Sequence, residues 1–130
     1  MLFLGSKMKI TGIEDLHCDA GWRVFSFLKI MTDEGLVGYS EYNEGYGSMG
    51  LTGVIRPLAD SLIGMDPRAV GRISASLHGQ TRQAPGGMIA QAIAAIENAL
   101  VDIKAKALGV PVYEMSVSYT HLTLPTILLV

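Results

Sequence analysis

Residues 86–113 read GGMIAQAIAAIENALVDIKAKALGVPVY. Ile89, Ile93, Ile96, Leu100, Ile103 and Ala107 succeed one another at steps of four, three, four, three and four. That is the period of one helical face, held for about six turns. Ala92, Ala95 and Ala99 form a small-residue seam beside it, where another backbone can approach closely. Lys104 and Lys106 fall in the last turns, where the helix dipole favours positive charge. Gly109 is a C-terminal stop and Pro111 prevents continuation. A helix so long, with one broad apolar face, needs a large partner.

Working back from this helix, Asp66-Pro67 predicts another helix start, an N-cap followed by proline at the first helical position. Ala69, Val70, Ile73 and Leu77 supply its inner face to near Gly79, and residues 80–87 form a linker. Before it, Leu51, Val54, Ile55, Leu58, Leu62 and Ile63 keep helical spacing up to Gly64, with Pro57 inside removing a backbone bond or kinking the element. Residues 43–50, NEGYGSMG, hold three glycines and read as a flexible loop. Upstream the period changes to two. Residues 8–15, 22–32 and 36–42 read as strands, the second being the richest in aromatic and branched side chains. Asp33-Glu34-Gly35 joins the last two as an antiparallel hairpin. The stretch HCDAG, residues 17–21, is the connection between the first two. Strands first and helices afterwards argue for an α+β fold, a three-stranded antiparallel sheet followed by three helices.

The bulk properties bound the function. A chain of 130 residues is one domain long. A formal charge of -2 gives no electrostatic reason to expect nucleic acid or an anionic membrane surface. No apolar run reaches the ~18 residues of a membrane span. The single cysteine, Cys18, rules out an internal disulfide, so a reducing compartment, the cytoplasm, is the expectation. Residues 1–7 read as an N-terminal extension before Met8, and 8–115 as the domain. The last fifteen residues, SVSYTHLTLPTILLV, carry no Asp, Glu, Lys or Arg, whereas the preceding 115 carry all 22 charges. Within them VSYTHLTLPT resembles the translation of a sequencing-library adapter. Residues 116–130 are therefore read as an artefactual tail and set aside.

Chemistry-bearing motifs are sparse. His17, His78 and His121 stand apart, and no HxH, HExxH or CxxC occurs. Gly86-Gly87 before the long helix could cradle a phosphate or simply let the helix start. Glu41 and Glu44 are either paired carboxylates or solvated side chains. His17, Cys18 and Asp19 are either a small ligand set or a turn. Arg82 either grips a carboxylate or caps a helix end.

Three stretches in order, TDEGLVGYSEY (32–42), LIGMDPRAV (62–70) and AIAAIENALVDIKAKALGVPVYEM (92–115), resemble the N-terminal domain of the mandelate racemase/muconate lactonizing enzyme group of the enolase superfamily. Ser40 departs from the usual glycine, and Met115 from the usual leucine before a Gly-Gly pair. The resemblance implies a lid that closes over a C-terminal (β/α) barrel. In the barrel a lysine or histidine abstracts the proton next to a carboxylate, and a magnesium ion stabilises the enediolate. No catalytic or metal-binding residue falls in this chain on that reading. The magnesium, the barrel and a hydroxy-acid or sugar-acid substrate belong to the full-length enzyme, a racemase or dehydratase, which the resemblance also makes a homo-oligomer. The chain would be a truncated piece, inactive alone. Two lid loops would touch substrate, about residues 17–22 and 43–49, with Asp19, Trp22, Glu44 and Tyr46 as the candidate side chains. Trp22 is equally assigned to the sheet core. The alternative function is a stand-alone α+β binding module without catalysis. On the lid reading, the alanine seam and part of the isoleucine face would pack on the absent barrel as well as on the domain's own sheet, leaving some apolar surface wet and a marginal or self-associating fragment.

Overall fold

The computed structural model describes residues 7–115. The extension expected at 1–7, apart from Lys7, and the tail expected at 116–130 lie outside the described residues. Three strands come first: β1 Ile10–Asp19, β2 Val24–Thr32 and β3 Val37–Tyr42. Three helices follow: α1 Leu51–Asp60, α2 Val70–Gln80 and α3 Gly87–Leu108. The sheet order is β1-β2-β3, antiparallel throughout. This is the α+β architecture expected from the segregated periods.

The pleat sorts the side chains. Ser26, Leu28, Ile30 and Thr32 of β2, with Gly38, Ser40 and Tyr42 of β3, are buried beneath the helices. From α3 they meet Ile93, Ile96, Leu100 and Ile103, all fully buried. Leu51, Ile55, Leu58 and Leu62 from α1 and its exit, and Ile73 and Leu77 from α2, complete one core. Gly109, in the left-handed conformation, ends α3 by donating its N–H to Ala105 and Lys106 carbonyls.

The structure revises five readings. First, β1 runs to Asp19, so His17, Cys18 and Asp19 are strand residues paired with Ser26, Phe25 and Val24. Their inner-face positions are polar, and that hid the strand from a hydrophobic-period reading. Second, β2 begins at Val24, and Trp22 is 76 % exposed in the turn, not sheet core. Third, α2 begins at Val70. Asp66 accepts the backbone N–H and the guanidinium of Arg68, closing a turn ahead of the helix where an N-cap was expected. Fourth, the alanine seam finds its partner inside the chain. Ala92, Ala95 and Ala99 are buried, and β3 lies on them so closely that Ser40 Oγ donates to the Ala95 carbonyl at 2.6 Å. Fifth, Ile63, expected on the inner face of α1, is exposed beyond its end.

Candidate functional site

At one end of the sheet, the β1–β2 turn and the loop after β3 face each other. They enclose a cavity of about 540 Å³ whose lining includes His17, Trp22, Ser26, Asn43, Glu44 and Tyr46. Three of the four side chains expected at a site, Trp22, Glu44 and Tyr46, are thus brought together. Asp19 is not among the lining residues; its Oδ1 accepts the Gly21 N–H at 2.8 Å and shapes the turn. The sheet places the walls. His17 and Ser26 are directly opposed across β1 and β2, and residue 43 follows the last residue of β3.

Trp22 and Tyr46 project as exposed aromatic surfaces. Tyr46 takes a positive φ of 48°, between Gly45 and Gly47, in a tight loop. Trp22 meets Phe25 edge to face at 5.7 Å, and the Arg23 guanidinium stacks over Phe25 at 4.1 Å while pairing with Glu41 at 3.3 Å. Glu41 and Glu44 therefore serve different partners. Glu44 accepts the hydroxyl of Thr52 at 2.6 Å and its backbone N–H at 3.1 Å. This caps α1 from a distance, since Gly50, the residue in the capping position, has no side chain to do so. The Thr52 hydrogen bond holds the Glu44 carboxyl below its ordinary range. With the Thr52 proton committed to Glu44, the Tyr42 hydroxyl donates to Thr52 Oγ1 at 2.8 Å.

A second polar chain reaches the cavity wall at His17 and Ser26. Arg56 of α1 grips Asp15 with two bonds of 2.9 Å. Asp15 Oδ2 meets His17 Nε2 at 2.9 Å, and His17 Nδ1 meets Ser26 Oγ at 2.9 Å. Mainly through the Arg56 hydrogen bond, with His17 adding to it, the Asp15 pKa is lowered to about 2. The Tyr42 ring stands edge-on to His17 at 6.4 Å. Ser26 and Arg56 escaped the reading of the sequence. The available signal was a serine at an inner-face position of a strand otherwise carrying Leu28 and Ile30 there. Among the described residues no three His, Cys, Asp or Glu side chains gather as a metal site. Among them, too, no helix is long and apolar enough to cross a membrane.

Comparison with known proteins identifies the family and agrees with the fold. Residues 20–115 match the family model "Mandelate racemase / muconate lactonizing enzyme, N-terminal domain". D-galactonate dehydratase of Pectobacterium atrosepticum is 41 % identical over 108 residues, covering 83 % of this chain and 28 % of that protein. The same enzyme of Ralstonia nicotianae is 39 % identical over the same shares. Among solved structures, a Burkholderia xenovorans protein provisionally named an L-alanine-DL-glutamate epimerase superposes with a TM-score of 0.80. It is 48 % identical, over 82 % of this chain and 27 % of that one. A member of the enolase superfamily from Salmonella Typhimurium gives a TM-score of 0.77 at 35 % identity, over 83 % and 29 %. The chain thus spans less than a third of the length of these relatives. It belongs to the mandelate racemase/muconate lactonizing enzyme N-terminal domain family, within the enolase superfamily.

Proposed function

We propose that this domain is the substrate-facing lid of an enolase-superfamily dehydratase acting on a sugar acid. The carrying observation is the cavity between the β1–β2 turn and the loop after β3, with Trp22, Glu44 and Tyr46 in its walls. Trp22 and Tyr46 offer flat apolar faces to a polyhydroxy chain and exclude water. Ser26 and Asn43 supply neutral hydrogen-bonding groups. Glu44 positions the loop through Thr52 and closes the wall. The similarity to D-galactonate dehydratases favours dehydration over racemisation. Proton abstraction next to the carboxylate would be done by residues beyond this domain. The magnesium expected there would stabilise the negative charge that develops on the substrate.

The test is a chimera in which residues 8–115 replace the corresponding segment of the Pectobacterium dehydratase, assayed with a panel of sugar acids. Trp22→Ala and Tyr46→Ala should each raise KM roughly tenfold, about 1.4 kcal/mol of lost binding, with a smaller change in kcat. Unchanged KM for every sugar acid in both variants would sink the assignment. So would turnover by the 130-residue chain alone with magnesium and a hydroxy acid.

A further inference from the structure

The cavity wall contains a serine whose hydrogen-bonding sense is set by its neighbour His17, which lines the same cavity. Resting on the cavity identified above, we propose that Ser26 is a specificity-determining residue presenting acceptor lone pairs to the ligand while His17 is neutral, with Asp15 and Arg56 as the positioning pair that imposes this.

Asp15 is gripped by the Nε and Nη2 donors of Arg56, so it is ionised and can only accept. His17 Nε2 lies 2.9 Å from it and must therefore carry a hydrogen, because a bare nitrogen facing a carboxylate would be acceptor against acceptor. A neutral imidazole has one N–H, so Nδ1 is the acceptor and the Ser26 hydroxyl must donate to it across 2.9 Å. Ser26 is 2 % exposed and has one hydrogen. With that hydrogen committed, only its lone pairs are left for a ligand in the cavity. The complementary group is a hydroxyl or amide hydrogen, and a ligand carboxylate at that point is disfavoured. Protonating His17 reverses the arrangement. Nδ1–H then donates to Ser26, whose hydroxyl hydrogen becomes free to meet an anion. The charged and titratable groups around His17 are Asp15 on its own strand, Arg56 from α1, Tyr42 from β3, Glu44 from the following loop, and Arg23 across the cavity.

Imidazole 15N spectra of the 130-residue chain test this directly, with His17→Asn identifying the His17 signals among those of three histidines. The expected result for the neutral ring is a pyrrole-type Nε2 and a pyridine-type Nδ1. Ser26→Ala should move the Nδ1 resonance alone and leave the tautomer unchanged. Asp15→Asn, whose amide can donate as well as accept, should mix the tautomers, and Arg56→Gln should do so more weakly. A purely structural role for these side chains would not change the tautomer. A dominant Nδ1–H form in the unmodified chain overturns the proposal, as does a tautomer that stays pure in both Asp15→Asn and Arg56→Gln. D-galactonate is then added at millimolar concentration. Perturbation of Nδ1 that disappears in Ser26→Ala supports the acceptor role. The expected tautomer with no response to D-galactonate supports the relay and counts against D-galactonate as the ligand of this cavity.

Discussion

Asp15 shows how a single residue acquires a role from its surroundings. In the strand it is one more polar inner-face position, but Arg56 and His17 converge on it and lower its pKa from 3.8 to about 2. The sign of the consequence is fixed. A carboxylate with a depressed native pKa stabilises the fold above its unfolded pKa, and that contribution is lost as the pH falls through the native value. Between pH 3.8 and about 2 the chain should therefore lose on the order of 1 kcal/mol through this group, allowing for the water around Arg56. Acid unfolding followed by circular dichroism would measure it. Asp15→Asn should flatten that segment of the stability curve, and an unchanged slope would contradict the assignment. Ser40 is a second case. Where the resembling sequences usually have glycine, its hydroxyl donates to a helix carbonyl, tying β3 to α3.

At the scale of elements, the closest meeting is β3 on α3. A Cβ at Gly38 would overlap the Ala99 carbonyl oxygen and the Ile103 side chain. Backbone cannot step aside as a side chain can. Gly38→Ala should therefore cost about 3 kcal/mol in chemical unfolding. Gly12 is the control, because its added Cβ would meet only the mobile end of Met31, at 2.9 Å. Gly12→Ala should cost less than about 1 kcal/mol; equal losses would show that strand glycine, not the β3–α3 approach, sets the effect. The free edge of β3 is managed by the same helix. Asp102 accepts the Tyr39 N–H at 2.9 Å, and Lys106 donates to the Val37 carbonyl at 2.6 Å. The lysine, placed in the sequence reading as a partner for the helix dipole, is therefore also a cap on the sheet edge.

Across the whole molecule, the core closes within the chain, so the expectation that the long helix leaves its seam uncovered does not hold. What stays wet lies elsewhere. Leu108, Val112 and Tyr113 are exposed at the exit of α3, and the outer sheet face shows Leu16 and Tyr39 beside half-buried Phe25, Phe27 and Met31. Surface of this kind marks contact sites and promotes association. The chain should melt cooperatively but self-associate, with a sedimentation coefficient that rises with concentration. A monomer throughout the micromolar range, checked by analytical ultracentrifugation, would show that this surface is tolerated in water.

The order of strands and helices, the hairpin at residues 33–35, the face of the long helix and the stop at Gly109 were legible in the sequence. These depend on local chemistry: side-chain period, turn residues and helix ends. The family was legible for a related reason, because its motifs punctuate those same elements. The site was legible only in part. The family resemblance drew attention to the loops carrying Trp22, Glu44 and Tyr46, but the parts played by His17, Ser26 and Asp15 required the register of β1 on β2. Arg56 required α1 to lie against the strand, 41 residues away in sequence. The partner of the alanine seam likewise emerged only when β3 was seen resting on it. Hydrogen bonds between distant residues leave no period in a sequence, so the tertiary structure alone decided which polar side chains share a network and which apolar seam is covered.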